Sequence, residues 1–146
     1  MTVPSLALSA ESPLSLTADV LVLGVRATDD GPRLVAEDAA FADLAAGLAA
    51  IGVTGGVDEL VRVPASIGSA RSIALVGIGR SAPSEDTLRY AAGTATRRLT
   101  GVASLVLALP TLSSAEVLAV LEGAAIGAYS YTAYRSSSLK KTMLPA

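Results

Sequence analysis

The chain has no cysteine, histidine or tryptophan, and no asparagine or glutamine occurs in it either. Each absence removes a class of chemistry. Without cysteine there is neither a thiolate nucleophile nor a disulfide framework, and without histidine there is no Ser-His-Asp relay, no imidazole acid or base and no Cys/His zinc site. Any site must be made from Asp, Glu, Lys, Arg, Tyr, Ser, Thr and backbone groups. Aromatics make up only 3% of the chain, with Phe41 the single phenylalanine. Three of the four tyrosines, Tyr129, Tyr131 and Tyr134, crowd into one short stretch. No run of 18 apolar residues is free of charge: the closest, Val117 to Tyr131, carries Glu122, so no membrane span is expected. No basic residue precedes Arg26, and Pro4, Glu11 and Pro13 interrupt the early apolar residues. A secretory leader is therefore not expected, and cytoplasmic is the default location.

What is present suits one aliphatic domain. A chain of 146 residues, 51% hydrophobic and 16% charged, is of ordinary domain size and can bury a substantial core. The net charge of −2 attracts neither phosphate backbones nor anionic lipid. It is unevenly spread: up to Glu122 there are eight Arg against thirteen acids, while the remainder holds Arg135, Lys140 and Lys141 and no acid. Nucleic acid is an unlikely partner for so acidic a body, and the basic, Ser-rich end reads as a linker or contact segment.

The apolar pattern alternates between strand and helix. Ser5 to Leu8 is short enough for an edge strand. Ala18 to Val25 is a continuous aliphatic run, as in a strand covered on both faces, and ends in the turn-rich Arg26 to Pro32. After a short strand at Arg33 to Val35, Glu37 to Ile51 spaces Ala39, Phe41, Leu44, Ala45, Leu48 and Ile51 as one helical face, stopped by Gly52. Asp58 to Pro64 alternates like an edge strand, and Arg71 to Gly77 is a second buried run. Pro83 and Ser84 open a helix with Glu85 and Asp86 in its first turn and Arg97 and Arg98 in its last, the order the helix dipole favours. Val102 to Pro110 is a third buried strand. Ser113 and Glu116 have capping-box spacing ahead of a helix to about Tyr129, whose Gly123, Ala124, Ala125 and Gly127 would let another backbone approach closely. Such alternation predicts a layered α/β domain with a parallel or mixed sheet.

Candidate chemistry is sparse. In Leu75 to Ser81, Gly77, Gly79 and Arg80 stand where a strand turns toward a helix, the place where backbone amides and a guanidinium can hold an anion. Position 82 is Ala, however, so the dinucleotide fingerprint is incomplete, and the Lys-Ser/Thr phosphate loop is missing. Turn geometry explains the glycines more simply. Asp29-Asp30 and Asp58-Glu59 lack a third ligand at a recognisable spacing, and read as solvated loop charges. Ser136 to Ser138 has no base to activate it. Tyr131, Tyr134 and Arg135 have the composition of a contact surface, with an interior role about as plausible.

Four stretches together resemble the N-terminal domain of the leucyl aminopeptidase (cytosol aminopeptidase) family: Ala18 to Val25, Ile73 to Gly79, Leu88 to Gly93, and Leu121 to Ser136. The last is similar to the family's Glu-Gly-x-x-x-Gly-x-Tyr-x-Phe-x-x-Tyr-Lys segment, with Tyr131 for the aromatic and Arg135 for the Lys. The resemblance implies a three-layer α/β/α sandwich with a mixed, largely parallel sheet, similar to macro domains. It implies a single domain over residues 1–134, with 135–146 as a basic linker toward a C-terminal catalytic domain not contained in this chain. The parent it implies is a homohexamer that removes N-terminal residues from peptides using two divalent metals, manganese or zinc. Those metals are held in the catalytic domain, whose Asn-Thr-Asp-Ala-Glu-Gly-Arg motif a chain without Asn cannot hold. No catalytic or metal-binding residue carries over. The expected role is packing against the catalytic domain and neighbouring subunits, with Tyr131, Tyr134 and Arg135 at the interdomain contact. The alternative is a macro-like module binding ADP-ribose or another anion through Gly77, Gly79 and Arg80.

Overall fold

A computed structural model describes residues 5–36, 38–64, 67–99 and 101–128. Its centre is the strand β1 (Val20–Thr28), which pairs in parallel with β4 (Ser72–Gly79) along one edge. Its other edge is divided. The first half, Val20 to Leu23, pairs in parallel with β5 (Leu105–Ala108), and the second half, Gly24 to Thr28, pairs antiparallel with β2 (Gly31–Val35). On the far side of β4 lies β3 (Leu60–Pro64), antiparallel. The sheet is thus mixed, with β5, β1 and β4 parallel at its middle.

Alternation along β1 and β4 supplies two cores. Val20, Val22, Ala74, Val76 and Ile78 face α3 (Glu85–Arg98) and α4 (Ser114–Ala128), meeting Leu88, Ala92, Ala95, Val120 and Ala124. Leu21, Leu23, Val25, Ile73 and Leu75 face the opposite side, where Phe41, Leu48 and Val53 cover them. Both faces of the central strands are dry, which is why their sequences are continuous aliphatic runs rather than alternating ones. Each of these fully buried Leu or Ile side chains contributes about 1.5–3 kcal/mol relative to exposure. The layered α/β arrangement with a mixed sheet is as the resemblance implied, although its strand pairings are two parallel and two antiparallel rather than largely parallel.

Several details differ from expectation. Residues 5–8 form no strand; the first regular element is a 3-10 turn at Pro13–Ser15, capped by Ser12. The helix expected over 37–51 is a 3-10 turn (Ala39–Phe41), α1 (Ala42–Ala46) and α2 (Leu48–Ile51), divided at Gly47. Gly52 ends α2 with φ 94°, as its position predicted. Both β1 and β4 run further than the apolar pattern suggested, and β5 is shorter. Ser84 caps α3 by accepting from the Thr87 amide, with Glu85 and Asp86 in the first turn and Arg97 and Arg98 in the last. At α4, Ser113 Oγ accepts from the Glu116 amide, but the Glu116 carboxylate reaches back to the amide of Leu112 rather than Ser113. The box is closed one residue early.

Small residues set the distance between α3 and α4. A Cβ on Gly123 would collide with the Arg89 carbonyl, and one on Gly127 with Thr96 Oγ1 and the Gly93 carbonyl. The close approach expected of Gly123 and Gly127 is present, and α3 is the helix they meet.

Candidate functional site

The glycine turn lies at the carboxyl end of β4, among the C-terminal ends of the parallel strands, where α/β sheets commonly place ligands. Val25 aligns with Gly77 and Arg26 with Gly79, so Ile78 is an extra residue in β4, a bulge at the strand's end. The two glycines answer different demands. Gly79 has φ 82°, which favours glycine. Gly77 has no room for a side chain: its Cβ would fall on the Gly56 carbonyl of the incoming Gly55-Gly56 loop.

That loop consumes the amides an anion would need. Gly77 N–H donates to the Glu59 carbonyl and Gly79 N–H to the Gly55 carbonyl, each at 2.9 Å. Glu59 fastens the loop from outside: its Oε1 accepts from the Thr54 and Gly55 amides, and its Oε2 from Thr54 Oγ1, all at 2.8 Å. Glu59 is therefore a structural clasp rather than a solvated charge. A carboxylate four or five residues after a Thr-Gly-Gly turn is the signal that would have revealed it, since Asp and Glu accept readily from exposed turn amides. Arg80 pairs with Asp29 at 2.8 Å, with side chains 69% and 97% exposed, a geometry that adds little stability. Arg26 Nη2 donates to the Arg80 carbonyl, while Arg26 Nε is buried without an acceptor. Beside them an open hollow of about 560 Å³ is lined by Thr28, Pro32, Thr54 and Arg80, among others.

A second cluster joins the same loop to α3. Asp58 has φ 74° and accepts from Tyr90 Oη at 2.6 Å through its carboxylate, and from Arg98 Nη1 at 2.5 Å through its carbonyl. The hydrogen bond to Asp58 is the main cause that raises the Tyr90 phenol above the usual 10.0. Tyr90 is half exposed, so the cluster is a surface latch on the Gly55-to-Glu59 loop. Asp19 makes a comparable tie at the sheet's other end, accepting from the Ala103 amide at 2.6 Å. Neither tie was legible from local spacing, because the partners are 32 and 84 residues apart.

Tyr131, Tyr134 and Arg135 lie outside the described residues. Among the described residues, no group of three acidic side chains is placed to hold a metal ion. No described helix is long and apolar enough to cross a membrane.

Comparison with known proteins agrees with this geometry. The model of the cytosol aminopeptidase family, N-terminal domain, matches residues 22–138. A probable cytosol aminopeptidase of Leifsonia xyli subsp. xyli is 50% identical over 139 residues, covering 94% of this chain and 27% of that protein. One of Clavibacter michiganensis subsp. michiganensis is 46% identical over 139 residues, covering 95% and 28%. The chain thus spans little more than a quarter of the length of these relatives. Among solved structures, a mutant of tomato leucine aminopeptidase shares the fold with TM-score 0.70 at 17% identity, over 94% of this chain and 30% of that one. The bottromycin maturation enzyme BotP is similar with TM-score 0.57 at 25% identity, over 89% and 27%. On the residues matched and the fold shared, this chain belongs to the cytosol aminopeptidase family, of which it carries the N-terminal domain.

Proposed function

We propose that the chain is the non-catalytic assembly domain of a metal-dependent leucyl aminopeptidase that removes N-terminal residues from peptides in the cytoplasm. The observation that carries this reading is the length relation: identity of 50% extends over 94% of the chain but only 27% of the relative. In this reading the catalytic residues and the two divalent metals, manganese or zinc, belong to the portion of the parent beyond this match. The domain's own chemistry supports a scaffolding role, because its polar side chains fasten loops: Glu59 holds the Thr54-Gly55 turn, Tyr90 holds Asp58, and Asp19 holds Ala103. Its neighbours would be the catalytic domain and other subunits of a homohexamer, with Tyr131, Tyr134 and Arg135 at the interdomain contact. This reading takes precedence over a macro-like module for ADP-ribose, since the amides of Gly77 and Gly79 already donate to backbone carbonyls.

The test is hydrolysis of a leucyl chromogenic amide by this chain with manganese or zinc added. No release above the metal-only blank is expected. Release that rises in proportion to the chain's concentration would overturn the proposal.

A further inference from the structure

The segment from Ser5 to Ser12 lies beside an opening that it does not fill. It is exposed and without regular structure, and its leucines, Leu6 and Leu8, are 46% and 71% exposed. The same segment forms one wall of a cavity of about 310 Å³, whose opposite wall is β5 and α4, with Leu105, Leu107, Val117 and Val120 among its residues. Two leucines left in water beside an apolar cavity give a driving force for a small inward movement.

The partner such a movement would meet is the outer edge of β5. That strand pairs with β1 along one edge, and among the described residues no strand pairs with the other. Val20 aligns with Leu105, and Val20 N–H donates to the Ser104 carbonyl. In a parallel ladder of this register the amides of Val106 and Ala108 turn toward β1, and those of Leu105 and Leu107 turn outward, ready to pair with a further strand. Ser5-Leu6-Ala7-Leu8-Ser9 alternates with the period of a strand, which places both leucines on one face. The segment is also hinged. Leu14 is anchored, its carbonyl accepting from the Ser69 amide at 3.1 Å. Ahead of it the chain turns where Ser9 Oγ accepts from the Glu11 amide and Ser12 caps the 3-10 turn.

We infer that Ser5 to Ser9 is a strap, drawn back in this structure, that closes onto β5 as a sixth strand and carries Leu6 and Leu8 into the cavity. Glu11, the one charged residue of the cavity wall, belongs to the hinge, so the strap itself takes no charge inside. Closure also covers an edge that would otherwise be open to strands of other chains.

Amide hydrogen exchange followed by NMR on the whole chain tests this independently of hydrolysis or assembly. Leu105 and Leu107 should exchange about a hundredfold or more slower than unstructured peptide, because closure gives their amides acceptors. Tenfold dilution should change nothing, since the strap belongs to the same chain. Replacing both leucines, Leu6→Asp with Leu8→Asp, should return Leu105 and Leu107 to near-peptide rates while Val106 and Ala108, bonded to β1, stay protected. Free exchange of Leu105 and Leu107 in the parent chain, protection that falls on dilution, or protection that survives the double substitution would overturn the inference. If the aspartates also expose Val106, the milder pair Leu6→Ser and Leu8→Ser decides by the same criterion.

Discussion

Gly123→Ala tests whether the closeness of α3 and α4 is a requirement or a convenience. In an isolated helix the change is favourable, because Ala exceeds Gly in helix propensity by about 1 kcal/mol. Here the added Cβ would overlap the Arg89 carbonyl and stand 2.8 Å from the Arg89 carbon and 3.0 Å from its Cα. All three are backbone atoms that no rotamer change can move, so the helices must separate. Overpacking of this kind costs about 1–3 kcal/mol, and a gap of half to one ångström along the rest of the interface forfeits a quarter to a half of each contact there. We expect a loss of about 2–4 kcal/mol against a gain of about 1, for a net destabilisation of about 1–3 kcal/mol. In thermal unfolding that is a fall of about 3–9 °C in Tm for a chain of this size. Gly47→Ala is the internal control. Its Cβ would be 3.5 Å from the Asp43 carbonyl, an ordinary contact, and its φ of −93° suits any residue. It should raise Tm by about 2 °C, through propensity and a less disordered unfolded chain. A Gly123→Ala protein as stable as the parent would refute the reasoning, for it would mean that α4 slides outward at no cost.

Other outcomes follow from the loop and its latch. Gly77→Ala should displace the Gly55-Gly56 segment, destabilise the chain by about 2 kcal/mol or more, and speed amide exchange at Gly79, whose donor would lose the Gly55 carbonyl. Glu59→Gln keeps the shape of the clasp but weakens its charge-assisted bonds, so it should cost less than Glu59→Ala in urea unfolding. The Tyr90 phenol is raised because its proton is held by Asp58. The latch therefore stabilises the fold fully below the unfolded phenol's range near pH 10 and ceases to do so as pH rises through the higher folded value. Ultraviolet titration should show a late-ionising tyrosine component that is lost in Tyr90→Phe, and a variant titrating like the parent chain would refute the assignment.

The parts of this fold legible in the sequence are those fixed by local or repetitive signals. The aliphatic runs of β1 and β4 were unmistakable because both their faces are buried. Ser84, Glu85, Asp86, Arg97 and Arg98 marked α3 at both ends, each acting within a turn of its own position. Gly123 and Gly127 announced a close neighbour without naming α3. What escaped was decided across the chain. Periodicity cannot tell that β5 and β2 divide one edge of β1, nor that Ser5 to Leu8 is left without a partner. Gly47 interrupts an otherwise uniform apolar stripe, and the weak helix preference of glycine was enough to split the segment. At the glycine turn, local spacing marks Gly77 and Gly79 but not the segments that pack against them. Gly77 makes room for a loop that arrives from about twenty residues earlier in the chain, and Glu59 reads locally as a solvated charge because its partners are turn amides.

The divided edge of β1 also sets an order of events. Val20 to Leu23 can pair early with β4, but their other edge is completed only by Leu105 to Ala108, some 85 residues downstream. During synthesis, the aliphatic first half of β1 therefore has neither edge paired until β4 emerges after β2 and β3, and then waits with one side unsatisfied while α3 emerges ahead of β5. Such long-range closure slows folding and exposes an unpaired strand edge to other nascent chains. The charged turn at Asp29-Asp30 and the immediate hairpin with β2 protect half of that edge at once. The unprotected half is four residues long, about the shortest strand that still completes the sheet.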